Sequence, residues 1–250
     1  PPLARALCDR HFGVGGDGLL TLSDDGGAGP LVRMHNPDGT EDFCGNGMRC
    51  IAAWLCRSGE ACDHVFMRTP IGRHRATVRD AGGGHYDVEV ELLTPEFRPC
   101  DVPALLEGER ILDRPFDVGG RALRISSVRV GSTHTVVFAD ADVPEREFLR
   151  LSPLIERHAA FPQRTSVLWC RAESRDRLRM RIWERGVGET FACGTGACAA
   201  VVIGRELGLT GDRAEVVTRG GSMSAEWAGQ GPVRLTGPAR IVYEGVWASR

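Results

Sequence analysis

Apolar residues recur along this chain in two contrasting patterns. Over 48–59, "MRCIAAWLCRSG", and over 197–208, "ACAAVVIGRELG", they cluster without alternation across a length suited to a helix. Both stretches end in glycine, and Gly59 and Gly208 stand where a helix C-cap is expected. Elsewhere β-branched and other apolar residues sit among polar ones in short segments. "HYDVEVELL" (85–93), "ALRISSVRV" (122–130), "HTVVFAD" (134–140), "RTSVLWC" (164–170), "RLRMRIWER" (177–185) and "AEVVTRG" (214–220) are predicted strands. "SDDGGAG" (23–29) and "DAGGGH" (80–85) are predicted turns or loop tips.

The two helical stretches share a setting, because each follows a Cys-Gly-x-Gly turn, "FCGNGMRC" (43–50) and "ACGTGAC" (192–198). An offset of 149 carries Cys44 onto Cys193. The same offset aligns Gly39, Gly45, Gly47, Gly59, Thr69, Gly72 and Ala76 with Gly188, Gly194, Gly196, Gly208, Thr218, Gly221 and Ala225 without a gap. The expected fold is therefore α+β: two pseudo-symmetric domains, each a curved, mostly antiparallel sheet wrapped around a central helix. The repeat puts the boundary between Leu93 and Pro103, giving a first domain over 1–95 and a second over 96–237. Equivalent loops of a pseudo-twofold pair converge on the domain interface, a favoured place for a ligand.

Composition narrows the function. With 250 residues, 42% of them hydrophobic, the chain can bury a sizeable core. The net charge of −2 is dispersed, with no basic block, so nucleic acid is not an expected partner. No run approaches the roughly 18 apolar residues of a membrane span, and 1–20 lacks the order of a signal peptide, so the expected location is the cytoplasm, away from membranes. The chain opens on Pro1 without an initiator Met, and a preceding segment is expected. The nine cysteines form no CxxC pair, so neither a zinc or other metal site nor a disulfide framework is expected. Cys8, Cys50, Cys56, Cys62, Cys100, Cys170 and Cys198 are taken as reduced thiols filling core or surface positions. Every basic residue other than histidine is arginine. Schiff-base chemistry, including the pyridoxal phosphate route to racemisation, needs a lysine amine, so an activity of that kind must proceed without a cofactor.

Cys44 and Cys193 are the exceptions among the cysteines. A thiol at a helix N-terminus meets unpaired N–H groups and the positive end of the macrodipole, which favour the thiolate. The glycines that follow leave those N–H groups open to a substrate carboxylate. Two such cysteines on opposite faces of a carbon form a two-base pair, in which one removes a proton, the other returns one, and the centre inverts.

"DRHFGVGGDGLL", "HNPDGTEDFCGNGMRC", "WERGVGETFACGTGACAA" and "LTGPARIVYEG" resemble the diaminopimelate epimerase family over nearly the whole chain. The resemblance implies a cofactor-independent isomerase that interconverts LL- and meso-diaminopimelate and supplies lysine and peptidoglycan precursors. It implies Cys44 and Cys193 as the acid–base catalysts. Asn36, Gly45, Asn46, Glu184, Arg185, Gly194 and Thr195 would bind substrate, and His134 and Glu184 would tune the cysteines. Arg185 is suited to clamp a carboxylate bidentately and Glu184 to accept from an ammonium. The last strand, with 238–250, would return to complete the first domain. Several members of the family dimerise, so a homodimer is the expected assembly.

The chain departs from the family pattern at two substrate positions. Ser132, in Gly131-Ser132-Thr133-His134, stands where the family usually has asparagine, and so does Ser166, before Val167. Serine is shorter and carries one polar group instead of two. Gly18 stands where many members have glutamine, and the family's N-terminal Gly-Asn-Asp-Phe segment is not among these residues. Other readings are a related racemase acting on another amino acid such as histidine, a cysteine hydrolase with His134 as base, and a binding or redox protein.

Overall fold

The computed structural model describes residues 2–24, 26–60 and 62–248; Asp25, inside the predicted 23–29 turn, lies outside them, as do Pro1, Ala61, Ser249 and Arg250. The chain divides into two compact units, 1–91 with 236–250, and 92–235.

The first unit runs α1 (Pro2–Cys8), β1 (Leu19–Ser23), β2 (Leu31–His35), β3 (Glu41–Asp42), α2 (Gly45–Arg57), β4 (Val65–Thr69), β5 (Gly72–Gly82) and β6 (His85–Glu91). Its strands are ordered β1-β2-β4-β5-β6, with β3 on β2; all pair antiparallel except β2 with β4. Met48, Ile51, Ala52, Ala53 and Leu55 of α2 are buried, as are Val65, Met67, Ala76, Val78, Val88 and Val90 on the strands around it. Trp54 and Arg57 stay exposed, so α2 buries one face.

The second unit runs β7 (Arg114–Val118), β8 (Arg121–Val130), β9 (Ser132–Phe138), α3 (Glu145–Glu156), β10 (Ser166–Ser174), β11 (Arg177–Glu184), β12 (Gly188–Thr190), α4 (Gly194–Glu206), β13 (Arg213–Thr218) and β14 (Gly221–Glu226). The order is β14-β13-β11-β10-β9-β8-β7, with β12 on β11; β9 with β10 and β11 with β13 are the parallel pairs. Helix α4 is buried all round, with Ala197 to Ile203 at 0% exposure. Its alanines and valines let strands approach on every side. Leu178, Met180 and Ile182 of β11 are buried while Arg177 and Arg179, alternating with them, are exposed, the period-two pattern of a strand. Helix α3 was not among the predicted elements. Its Phe148, Leu151 and Ile155 form a core with Val167 and Trp169, against which Trp183 packs. The last strand, β15 (Arg234–Arg240), passes into the first unit at Thr236 and lies beside β6.

The repeat is visible in the elements themselves. Helices α2 and α4 span 45–57 and 194–206, the same thirteen positions at the 149 offset. Each ends in a Schellman turn. Glu60 N–H donates to Leu55 O at 3.1 Å and Gly59 N–H to Cys56 O at 3.2 Å, and Leu209 and Gly208 repeat this on Gly204 and Arg205 at 2.8 and 3.0 Å. Gly59 and Gly208 have φ of +104° and +72°, the left-handed conformation that the turn requires. Thr69 Oγ1 donates to Gly72 O and Thr218 Oγ1 to Gly221 O, closing the two equivalent hairpins.

One expectation fails here. Cys56 and Cys62 are not separate filler thiols; they form a disulfide, with Cα atoms 4.9 Å apart. The left-handed turn at Gly59 folds the chain back from the end of α2 into a 3-10 turn over Cys62–His64, which brings a six-residue spacing within bonding reach. Among the described residues, no helix is long and apolar enough to cross a membrane.

Candidate active site

The two cysteine turns are built alike. Cys44 has extended backbone (φ −127°, ψ 103°) and is the N-cap of α2; Cys193 (φ −140°, ψ 115°) is the N-cap of α4. Each Sγ accepts the N–H of the third helical residue, Gly47 at 3.3 Å and Gly196 at 3.4 Å. Each backbone carbonyl accepts the next N–H, from Met48 at 3.1 Å and Ala197 at 2.9 Å. Cysteine thus takes the place that serine or aspartate usually holds in an N-cap. The cap puts sulfur among the first-turn N–H groups, where negative charge is favoured. Space at the third position is tight. A Cβ on Gly47 would meet Leu20 Cδ1 at 2.8 Å, and one on Gly196 would lie 3.3 Å from the Cys193 sulfur it bonds.

Around Cys44, the predicted residues lie on the two turns that flank it. Asn46, in the first turn of α2, accepts at Oδ1 from Arg49 NH1 at 3.1 Å, and Arg49 is itself buried and donates to Pro238 O. Asn36 lies in the turn between β2 and β3, where Nδ2 donates to Thr40 Oγ1 at 3.0 Å and its carbonyl accepts from Gly39. Phe43 stacks on the ring of His74, centroids 5.4 Å apart, and His74 is held by Thr69 Oγ1 at 3.0 Å and Glu91 O at 3.1 Å. Arg49 and His74 went unnoticed in the sequence, where one reads as a charged helix residue and the other as a strand residue.

Around Cys193 the structure draws together Ser132, His134 and Thr195. Cys193 Sγ is 3.4 Å from Thr195 Oγ1, which is 3.1 Å from His134 Nε2, which is 3.1 Å from Ser132 Oγ. His134 is fully buried. Burial, with a smaller contribution from the nearby Arg185 charge, pushes its pKa down to about 3, so the ring is neutral at ordinary pH.

Ser166 accepts the backbone N–H of Arg185 at 3.1 Å, and the Glu184 carboxylate accepts from Thr190 Oγ1 at 2.5 Å. The turn carrying Glu184 and Arg185 rests on a residue that the sequence did not single out. Glu156, at the end of α3 and 1% exposed, accepts Trp183 Nε1–H and Gly186 N–H, both at 2.9 Å. Arg157 and Arg164 flank it at 3.8 and 3.7 Å. No sequence motif marks it.

A cavity of about 280 Å³ elsewhere in the second unit is lined by Arg171, Arg179, Arg181, Arg219, Asp142 and Trp169 among others. Each of its arginines already meets a carboxylate of Asp142, Glu145, Glu173 or Glu189. The ion pairs balance. Among the described residues no group of three or more His, Cys, Asp or Glu is arranged to hold a metal.

The sequence model of the family described as Diaminopimelate epimerase matches residues 2–92 and 126–242, which include both cysteine turns. This chain belongs to the diaminopimelate epimerase family. A diaminopimelate epimerase of Pelotomaculum thermopropionicum is 39% identical over 252 residues, covering 100% of this chain and 90% of that protein. Those of Xylella fastidiosa and Moorella thermoacetica are 39% and 38% identical, each covering 98% of this chain and 86% and 88% of their own length. As a member of this family the chain is an isomerase. Solved structures share its fold at low identity. A probable proline racemase of Agrobacterium radiobacter superposes with a TM-score of 0.65 at 18% identity over 96% of this chain and 80% of that one. A hydroxyproline epimerase of Agrobacterium vitis gives 0.65 at 16% over 95% and 76%.

Proposed function

We propose that this chain interconverts LL- and meso-diaminopimelate by two-base proton transfer at the α-carbon, with Cys44 and Cys193 as the bases. The observation that carries the reading is the matched pair of caps, with both sulfurs accepting from the third helical N–H at 3.3 and 3.4 Å. A cap of this kind favours the thiolate through its N–H groups and the helix dipole, leaving a group able both to take a proton and to give one back. The thiolate of one cysteine takes the α-proton from one face. The thiol of the other gives its proton to the opposite face. One C–H bond breaks, one forms, and the two sulfurs exchange protonation states. The intervening carbanion places its charge on the α-carboxylate, which the first-turn N–H groups of Gly45, Asn46, Gly194 and Thr195 are suited to receive. Arg185 and Glu184 offer a cation and an anion to the distal amino-acid group of the substrate. Asn36, Ser132 and Ser166 are the further polar groups assigned to binding.

The close relatives, named for this epimerisation, support the substrate. The domains of this reading are 1–95 with 238–250, and 96–237, and its setting is lysine and peptidoglycan precursor synthesis in the cytoplasm. A cysteine hydrolase is disfavoured, because His134 Nε2 is engaged by Thr195 and Ser132 and the ring resists protonation. The test is incubation of reduced protein with LL-diaminopimelate in deuterated water, following chirality and α-deuterium together. Formation of the meso isomer carrying one solvent deuterium supports the reading. Inversion of histidine without inversion of diaminopimelate overturns the substrate, and acyl-enzyme burst kinetics overturn the reaction.

A further inference from the structure

The distances from Cys193 to Ser132 form one continuous chain of polar atoms, Sγ to Thr195 Oγ1 at 3.4 Å, Oγ1 to His134 Nε2 at 3.1 Å, and Nε2 to Ser132 Oγ at 3.1 Å. We infer that the Thr195 hydroxyl is a reversible hydrogen-bond partner of Cys193, and that Ser132 is a positioning residue that holds the His134 ring behind it. This rests on the proposed role of Cys193.

His134 Nε2 faces two hydroxyl oxygens, whereas Nδ1 is buried with no hydrogen-bond partner among the described residues. A buried N–H without an acceptor is among the rarest defects in folded proteins, so the proton belongs on Nε2, where two oxygens can accept it, and the bare lone pair on Nδ1. With Nε2–H donating to one lone pair of Thr195 Oγ1, the Thr195 proton is directed elsewhere. When Cys193 is a thiolate, that proton has an anionic acceptor at 3.4 Å. When Cys193 is a thiol, the S–H donates and Oγ1 accepts. The hydroxyl therefore reverses its sense at each turnover, while His134 keeps its single proton throughout. The bond to the thiolate is charge-assisted and the bond from the thiol is weak, so the hydroxyl favours the charged form.

Ser132 supplies the second oxygen that fixes the ring. Its hydroxyl is committed to Nε2 within the same unit, two residues along β9 from the histidine. A side chain placed for substrate thus acts through His134 and Thr195 on the sulfur. Geometry carries this inference, and the low basicity of the buried ring agrees with it.

The experiment uses the full chain without substrate. Alkylation of Cys193 by iodoacetamide is followed against pH by peptide-resolved mass spectrometry in the parent, Thr195→Val and Thr195→Ser. The valine variant, which keeps the shape and loses the hydroxyl, should move the midpoint of the profile up by about one pH unit, the scale of a lost charge-assisted hydrogen bond. The serine variant should return it to the parent position. A valine profile that overlies the parent overturns the proposal. A second measurement reads the ring directly. Nitrogen-15 spectra of labelled histidine should show one ring protonated at Nε2 that does not titrate between pH 5 and 8 and that loses its fixed environment in Ser132→Ala. A ring protonated at Nδ1, or an imidazolium in that range, overturns it. Neither readout involves diaminopimelate, so a failure here is distinct from a failure of the proposed reaction.

Discussion

The buried carboxylate of Glu156 accepts the backbone N–H of Gly186 at 2.9 Å, and through that bond the end of α3 holds the turn on which Glu184 and Arg185 stand. Its other oxygen takes the indole N–H of Trp183, so the residues on both sides of the Glu184–Arg185 pair are pinned by one side chain. In Glu156→Gln, one of the two acceptors becomes a donor facing a donor. The expected outcome is a KM for diaminopimelate raised about tenfold with kcat within about threefold, from a turn displaced before chemistry begins. Steady-state kinetics check it, and an unchanged KM would separate the turn from substrate binding.

Cys44→Ser and Cys193→Ser each replace a capping thiol with a hydroxyl of far lower acidity while keeping an N-cap acceptor. Inversion should fall by about a thousandfold or more in either variant, because general acid–base steps of this kind contribute on that scale. Both proteins should fold, since serine is a preferred N-cap. Parent rates in both variants would remove the two-base mechanism.

His134 links the second site to pH. Its folded pKa of about 3 lies below the 6.5 of the unfolded chain. Between those values the unfolded state binds a proton that the folded state refuses, so stability is complete above about pH 6.5 and is lost as pH falls toward 3. The slope expected from this ring is about 1.4 kcal/mol per pH unit. Urea unfolding at pH 6, 5 and 4 measures it, and His134→Asn should flatten the dependence. A parallel slope in the variant would assign the acid sensitivity to other groups.

The disulfide lies at the opposite end of α2 from Cys44, roughly 18 Å along a helix rising 1.5 Å per residue. Closing so short a loop restricts the unfolded chain modestly. Cys56→Ala with Cys62→Ala should lower the unfolding free energy by about 2 kcal/mol, and reduction of the parent should do the same. Epimerisation rates at 25 °C should stay within about twofold. Equal stability of the oxidised parent and the double variant would show that the bond adds nothing.

What the sequence reveals most directly is whatever depends on a special backbone. The turns at Cys44 and Cys193, the left-handed glycines 59 and 208 and the Thr-x-x-Gly hairpins each need a particular residue type, so they recur in register and can be aligned by eye. Glu156 is hidden by the opposite circumstance. In "EREFLRLSPLIER" a terminal glutamate resembles the exposed acids of the same helix, and only the packing of α3 buries it. Pro153 inside α3 also discourages a helical reading, yet the helix continues through it because Phe148, Leu151 and Ile155 are anchored in the core. Ser132 and Ser166 look like shortened substrate ligands in the sequence. In the fold each has an internal partner: Ser132 meets His134 two residues along the same strand, and Ser166 on β10 accepts the backbone N–H of Arg185 at the end of β11. The disulfide escapes for a similar reason, since six residues become a bonding distance only after Gly59 turns the chain back.

Strand β15 reaches the first unit last, after the whole of 92–235 has been made. At ordinary rates of polypeptide synthesis that stretch takes on the order of ten seconds. During this interval β6 has no neighbour on the side β15 will take, and it is an open template for another nascent chain. The second unit, by contrast, is contiguous and can fold as soon as it clears the ribosome. The unit bearing Cys193 is therefore complete before the unit bearing Cys44, which is sealed only once β15 has been made.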